Sequence, residues 1–184
     1  CHVNVLQTQD HPQFKTYSEE LKWLTTDATR MSWVAKTIKD IATSGNTLIL
    51  VDRISAGEML KKKIKDSVFV SGSTKNMDRK EQYDEISTAT NKVIIATYGV
   101  AAVGINIPRI FNLVLIEPGK SFVRVIQSIG RGIRKAEDKD SVQIWDITSS
   151  CKFAKRHLGA RKKFYKEANY PYNIEKINYE NPYT

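Results

Sequence analysis

Apolar residues recur along this chain in two patterns, and each pattern predicts a different kind of element. Between about residues 17 and 42 they return at helical spacing, and Asp27 follows a break at Thr25 and Thr26, where it can cap a second helix. Elsewhere, short runs of consecutive apolar residues are typical of buried strands. These runs cover residues 47–51, 67–70, 92–96, 112–116 and 141–147. Helical stretches near 56–64, from about 78 and over about 122–129 lie between them.

Strands that alternate with helices predict an α/β fold, with a parallel sheet covered by helices on both faces. In such a sheet the carboxyl ends of the strands meet at one edge, where ligands bind. The residues that would share this edge are Asp52, Ser71, Thr97, Glu117 and Thr148. We expect one layered domain over residues 21–150. A lead-in segment over 1–20 would precede it, and a basic helical extension with a Tyr-rich tail over 151–184 would follow it.

Composition favours a polyanionic partner and argues against a membrane protein. The 184 residues carry 29 Lys and Arg against 20 Asp and Glu, a formal charge of +9, although many basic domains gain only solubility from such charge. The longest charge-free stretch, 93–108, is interrupted by polar residues and is shorter than the roughly 20 residues that span a bilayer. Cys1 and Cys151 have no disulfide or metal-ligand pattern, so a reduced, cytoplasmic setting is expected. The chain begins without Met, which suggests a fragment or a processed form.

The segment QSIGRGIRK (127–135) is the most informative part of the sequence. Its spacing brings Gln127, Arg131 and Arg134 together at the end of a helix. Two unpaired guanidinium groups would repel each other, so they need a shared anion or nearby carboxylates. Planar guanidinium groups suit phosphate oxygens well. The alternative is pairing with the acidic residues that follow, Glu137, Asp138 and Asp140.

Upstream, VIIATYGVAAVGINIP (93–108) predicts a strand that ends at Thr97, then a turn of small residues. Gly104 would let a backbone or a nucleotide approach closely, and the Thr97 hydroxyl could bind a phosphate oxygen. The alternative is a plain buried strand and turn.

The triplet Gly119-Lys120-Ser121 follows a predicted strand, as the end of a P-loop would. A P-loop needs another glycine five residues earlier, and that position is Val114. The triplet therefore predicts an ordinary loop, with Ser121 as the N-cap of the helix that presents Gln127.

The segment 151–166 carries seven cations and no acid. Helical spacing turns the apolar residues inward and the cations outward, which favours phosphate backbone as ligand. The candidate contacts are Lys155, Arg156, Arg161, Lys162 and Lys163. A solvated helix face is the alternative. The tail tyrosines either stack on exposed bases or pack on the domain, and they are Tyr170, Tyr172, Tyr179 and Tyr183.

Together these segments resemble the motifs of the second RecA-like lobe of superfamily two helicases. TLILVDR (47–53) is similar to motif four, VSGSTKNMDR (70–79) to motif four-a, IATYGVAAVGINIP (95–108) to motif five and QSIGRGIR (127–134) to motif six. Their order and spacing also fit, and the resemblance covers about residues 21–165. It implies a RecA-like sheet and is strongest to phage helicases of recombination and repair.

The resemblance implies roles for single residues. Arg134 would be the arginine finger at the γ-phosphate, Arg131 a second phosphate or interdomain contact, and Gln127 a polar sensor. Gly104 and Asn106 would couple to the nucleotide, although the family usually has Asp at the Asn106 position, so the Asn106 role is weakened. The nucleic-acid backbone would meet Arg53, Gly72, Ser73, Arg79 and Thr97.

The resemblance also implies ATP with Mg²⁺ as cofactor, held mainly by a first RecA-like lobe that carries the P-loop and the Asp-Glu box. It implies branched, single-stranded or RNA–DNA hybrid substrates, no membrane, and a host-cell cytoplasmic location. The 184 residues alone should then hydrolyse no ATP. Two alternatives stay open: a nucleic-acid-binding module without catalysis, or a structural arginine pair with a basic face for an acidic protein.

Overall fold

The computed structural model describes residues 2–70, 91–102, 110–119, 122, 125–127 and 142–179. Its strands are β1 (His2–Thr8), β2 (Thr47–Val51), β3 (Ser67–Val70), β4 (Val93–Thr97), β5 (Asn112–Ile116), β6 (Gln143–Ser149) and β7 (Tyr172–Ile177). Its helices are α1 (Tyr17–Thr26), α2 (Ala28–Ala42), α3 (Ile54–Lys63), α4 (Tyr98–Ala102) and α5 (Lys152–Glu167). Residues 125–127 are also helical.

All described strands form one parallel sheet in the order β3-β4-β2-β5-β6-β1-β7. The predicted α/β class and RecA-like sheet are therefore confirmed. Strands β2, β3 and β5 have the predicted bounds, and β4 and β6 are displaced by one and two residues. The predicted helix break is also present, because the Asp27 carboxylate accepts a hydrogen bond of 3.0 Å from the Arg30 amide at the start of α2.

Two strands were not predicted, and both belong to the segments expected to lie outside the domain. Strand β1 pairs with β6 on one side and with β7 on the other, so residues 2–8 are part of the sheet and not a lead-in segment. The tail likewise contains an edge strand after its helix. The first and last described strands of the chain are thus neighbours.

Two apolar clusters cover the two faces of the sheet. On one face, α2 and α3 contribute buried residues such as Ile38 and Leu60, which lie in one cluster with Ile49 of β2. On the other face, Leu158 and Tyr165 of α5 cluster with Leu50. Because neighbouring residues of β2 face opposite clusters, the whole strand is buried, and this explains its uninterrupted apolar run.

None of the helices in the described ranges has the length and apolar character needed to cross a bilayer.

Candidate functional site

The predicted meeting of polar residues at the carboxyl edge of the sheet is confirmed for the described residues. Asp52, Thr97, Glu117 and Thr148 lie at the carboxyl ends of β2, β4, β5 and β6, which are parallel neighbours. Asp52 is exposed and Thr97 half-buried, whereas Glu117 and Thr148 are buried. Ser71, the fifth predicted member, lies outside the described residues. Polar groups that can meet a ligand are therefore concentrated toward β2 and β4.

Thr97 sits where motif five changes from strand to helix. Its hydroxyl oxygen accepts a hydrogen bond of 3.3 Å from the Val100 amide, which caps the first turn of α4. The hydroxyl proton is not used in that contact and can still be donated. Tyr98 donates its phenolic proton to the Ile116 carbonyl at 3.0 Å, which fixes α4 against β5. Thr97 is thus held in place at the edge, and no acceptor among the described residues takes its hydroxyl proton.

A buried arginine that the sequence analysis did not identify organises the middle of this edge. Arg30 donates from Nε to the Thr8 hydroxyl at 3.1 Å and from Nη2 to the Thr148 carbonyl at 3.2 Å. Nη2 also pairs with the Glu117 carboxylate. The arginine therefore joins α2 to the ends of β1, β5 and β6. No sequence pattern singles it out, because it looks like any polar residue of an amphipathic helix.

Glu117 occupies an uncommon backbone position at the exit from β5. Its φ is 45°, in the left-handed region that non-glycine residues seldom adopt. Burial raises the pKa of Glu117 above its ordinary value, while the neighbouring Arg30 opposes that rise. The residue stands directly after β5, so the Arg30 pair fixes where the chain leaves that strand.

A second buried carboxylate, that of Asp10, fastens the end of β1. It accepts hydrogen bonds from the hydroxyls of Thr8 at 2.6 Å, Ser149 at 2.5 Å and Tyr179 at 2.7 Å. Tyr179 is therefore engaged with the domain and not presented to bases. Tyr170 and Tyr172 pack against the core cluster, so the packing alternative holds for these three tail tyrosines. Tyr183 lies outside the described residues.

The prediction that Arg161 faces outward to bind phosphate is wrong. Its Nε and Nη2 donate to the two carboxylate oxygens of Asp146 at 2.7 and 3.0 Å, and its Nη1 donates to the Pro118 carbonyl at 2.8 Å. Only 2% of the residue is exposed. Tyr165 also donates to Asp146, at 2.7 Å. Because every part of this guanidinium is engaged inside the protein, Arg161 ties α5 to β6 and is not available to nucleic acid.

The other predicted cations of α5 do face solvent, and they lie on two sides of the helix. Lys155 and Lys162 line a groove between α5 and the strands β1 and β7. Arg156 and Lys163 are exposed elsewhere, and the Arg156 guanidinium lies 5.6 Å from the centre of the Phe153 ring. The N-terminus of the helix is closed by Glu20, whose carboxylate accepts hydrogen bonds from the Phe153 and Ala154 amides at 2.9 and 2.8 Å.

Few of the remaining motif residues are described. Arg53 is half-buried at the N-cap position of α3 and donates to the Ser18 hydroxyl at 3.3 Å. Gln127 is exposed on its helix. The other predicted contacts, together with the predicted N-cap Ser121, lie outside the described residues: Gly72, Ser73, Arg79, Gly104, Asn106, Arg131 and Arg134.

Comparison with known proteins agrees with the motif resemblance. Residues 29–136 match the helicase conserved C-terminal domain. The chain is 29% identical over 155 residues to the ATP-dependent DNA helicase UvsW of Enterobacteria phage T4, covering 82% of this chain and 31% of that protein. It is 31% identical over 104 residues to the putative helicase 22 of Sulfolobus islandicus filamentous virus, covering 54% of this chain and 18% of that protein. The chain thus spans less than a third of the length of either relative.

Solved structures show the same fold. The crystal structure of T4 UvsW superimposes with a TM-score of 0.81 at 23% identity, over 97% of this chain and 42% of that one. The Escherichia coli DEAD-box protein SrmB gives a TM-score of 0.65 at 17% identity, over 100% of this chain and 95% of that one. The superimposed parts share the RecA-like fold, and the family match includes every residue of the motif five and motif six segments. The chain therefore belongs to the family of helicase conserved C-terminal domains, as a RecA-like lobe similar to that of UvsW.

Proposed function

We propose that this chain is the C-terminal motor lobe of an ATP-dependent DNA helicase. The observation that carries the proposal is the family match over residues 29–136, which spans the motif five and motif six segments on a sheet whose carboxyl edge carries Asp52 and Thr97. The relative UvsW is named as an ATP-dependent DNA helicase, and this supports DNA as the nucleic acid. Branched, single-stranded and RNA–DNA hybrid structures are the proposed substrates.

ATP and Mg²⁺ would be held mainly by a first RecA-like lobe. In the present chain, which is the second lobe, Arg134 acts as the arginine finger. Arg131 makes a second phosphate or interdomain contact, and Gln127 is a polar sensor. The exposed position of Gln127 suits contact with a nucleotide that another lobe carries. Binding and hydrolysis of ATP would supply the free energy for movement along the strand. Gly104 and Asn106 couple that site to the nucleic-acid contacts.

The nucleic-acid backbone would meet the motif residues at the β4 side of the edge. Thr97 is the best supported of these, because its hydroxyl proton is available at the end of a strand. Arg53 is half-buried at the start of α3 and has a single described side-chain hydrogen bond, so it can reorient toward a phosphate. Gly72, Ser73 and Arg79 complete the proposed set.

The finger assignment is tested in a protein that carries both lobes. Arg134→Ala should lower kcat for DNA-stimulated ATP hydrolysis by roughly 10³-fold, the lower end of the range for arginine fingers. Arg134→Lys keeps the charge but loses the planar fork and should recover only a small part. Lys61→Ala, at an exposed position in the last turn of α3, is the matched loss of one cation. An unchanged kcat in Arg134→Ala would rule the finger out.

A second candidate function, nucleic-acid binding without catalysis, is favoured by the exposed lysines of α5. The two candidates differ in what ATP does. The DNA affinity of a motor lobe joined to its partner lobe should change when one ATP analogue replaces another. The DNA affinity of a binding module should be the same with every nucleotide. The isolated 184-residue chain should hydrolyse no ATP under either candidate, because its sequence contains no P-loop.

A further inference from the structure

A groove with a volume of about 470 Å³ lies between α5 and the strands β1 and β7, of which β7 is at the edge of the sheet. Its walls carry Lys155 and Lys162 from the helix and Lys176 from β7. Gln7 and Gln9, at the end of β1, lie against it as well. None of these residues belongs to the helicase motifs. A neighbouring cavity of about 520 Å³ shares Ser150 and Lys155 with the groove, so the concave surface continues around the N-terminal half of α5.

No carboxylate of the described residues neutralises the positive charge of this groove. Within the described lining residues, Asp10 is the one acid, and it lies in the neighbouring cavity. Its side chain is fully buried and accepts three hydroxyl hydrogen bonds. Glu175 precedes Lys176 in β7, but successive strand residues point to opposite faces of a sheet. The three lysines therefore present an uncompensated charge to one surface.

The groove also has an apolar floor and an open wall. Leu158 is buried beneath it, and Ile174 is 39% exposed, one of two large apolar side chains of the described residues that reach solvent to this degree. Gly159 lies between the two α5 lysines, and a Cβ atom added there would meet nothing within 4 Å. A ligand with anionic groups along an apolar framework fits this combination better than an isolated small anion does.

We propose that this groove binds the sugar–phosphate backbone of a single DNA strand, outside the motor motifs. The identity of the ligand rests on the proposed helicase function, because acidic peptides share the same charge. Strand β7 lies five inter-strand steps from β4 in the sheet order, which is about 24 Å at the usual strand spacing. The groove would thus hold a strand at one end of the carboxyl edge while Thr97 and its neighbours act at the other.

The test measures binding of fluorescein-labelled (dT)₂₀ to the 184-residue chain by anisotropy, from 50 to 200 mM salt. Lys155→Ala with Lys162→Ala should weaken binding by about tenfold at the low-salt end. The double variant should also reduce the salt slope by about 1.4, or 0.7 for each phosphate that a lysine no longer neutralises. The control is Lys61→Ala with Lys62→Ala, an exposed pair in the last turn of α3. That turn lies at the opposite edge of the sheet and should leave the slope unchanged.

Substitutions at Gly159 provide a second, independent series in which the fold is kept. A Cβ atom has room at this position, and Glu, Gln and Lys all favour a helix more than Gly does. Affinity for (dT)₂₀ should rise in the order Gly159→Glu, Gly159→Gln, Gly159→Lys. Circular dichroism should show equal or greater helicity in all three variants.

Three outcomes would overturn the proposal. The first is an equal loss of affinity in the α3 control pair, and the second is a Gly159 series without the charge order. The third is a poly-glutamate peptide that follows the Gly159 series while (dT)₂₀ does not, which would identify an acidic protein as the ligand. These results are separate from the Arg134→Ala test of ATP hydrolysis. Either the motor assignment or the DNA-binding role of the groove can therefore be disproved while the other stands.

Discussion

Arg161 and Asp146 form an ion pair that is closed off from water at the junction of α5 and β6. Replacing Arg161 with Met leaves the Asp146 carboxylate in the core with Tyr165 as its remaining hydrogen-bond donor among the described side chains. We expect the free energy of unfolding to fall by about 3–5 kcal/mol, the usual cost of breaking a buried pair. Urea denaturation followed by circular dichroism measures this. Lys163→Met, at an exposed position two residues away, should change stability by less than about 0.5 kcal/mol.

The same pair offers a further comparison at the residue scale. Replacing both members, as Arg161→Met with Asp146→Leu, removes the stranded charge and should restore part of the lost stability. If Arg161→Met instead unfolds at the wild-type urea midpoint and binds DNA less tightly, the side chain is a surface contact, as its place among the cations of 151–166 first predicted.

Cys151 is a buried thiol for which a pH dependence can be stated. Burial raises the pKa of Cys151 to about 11, although a hydrogen bond with Ser149 opposes the rise. A free cysteine has a pKa of about 8.5, so at pH 8 the folded chain should hold roughly two orders of magnitude less thiolate than the unfolded chain. Labelling by a thiol-reactive disulfide reagent should therefore be slow in buffer and fast in urea. The Cys1→Ser variant isolates this site.

The shift also affects stability with a definite sign. The folded chain binds the thiol proton more tightly than the unfolded chain does. The stability from this group is present below about pH 8.5 and is lost as the pH rises toward 11. Cys151→Ala should lack this part of the alkaline loss. A labelling rate in buffer equal to that in urea would contradict the assignment.

These residue-scale features mark the limit of what the sequence could predict. Thr97 and Gln127 were predicted as site candidates because the residues around them resemble motif five and motif six. Arg30 was not identified, and Arg161 was predicted on the exposed face of its helix. Burial of a cation depends on carboxylates elsewhere in the sequence. Glu117 is 87 residues from Arg30, and helical spacing cannot reveal such a partner.

At the scale of elements, glycine has opposite consequences in two helices. A Cβ atom at Gly57 of α3 would lie 2.5 Å from the Phe69 ring of β3, whereas at Gly159 of α5 it would meet nothing within 4 Å. Gly159→Ala should stabilise the chain by about 0.5–1 kcal/mol through helix propensity alone. Gly57→Ala gains the same propensity but displaces the ring, for a net loss of about 1 kcal/mol. Thermal or urea unfolding measures both.

The paired design makes each glycine the control for the other, since the substitution is the same. Two stabilising substitutions would mean that Phe69 moves aside at no cost. Two destabilising substitutions would mean that α5 tolerates no side chain at Gly159. The groove would then be tested by the Lys155→Ala and Lys162→Ala substitutions alone.

Strand bounds were most directly predictable where apolar residues follow one another without interruption. Strand β2 is buried at every position and β5 likewise, so their apolar runs gave the bounds directly. Strand β1 alternates apolar and polar residues at its start, and β7 is exposed along most of its length. The polar residues at the start of β1 and the exposed residues of β7 therefore interrupt the apolar run that identifies the other strands. The positions of β1 and β7 follow from pairing in three dimensions and not from local sequence.

At the scale of the whole molecule, the first and last described strands lie side by side at one end of the sheet. Strand β1 pairs with β6 across about 140 residues of sequence and also provides the described partner of β7. Contacts between residues so far apart in sequence slow the folding of a chain. The groove proposed for DNA lies on these same strands, so its shape depends on the correct docking of β1.

Deleting residues 1–9 tests whether this strand is integral to the domain. The deletion removes Val3 and Val5, both fully buried, and leaves β7 without its described partner. Burial of two valines contributes roughly 3–6 kcal/mol, comparable to the whole stability of a domain, which is about 5–15 kcal/mol. The shortened chain should lose its cooperative urea transition, while the graded variant Val5→Ala should keep a transition at a lower midpoint. If the deletion keeps the wild-type midpoint, residues 1–9 are a separable lead-in segment, and the core extends only from β2 to β6.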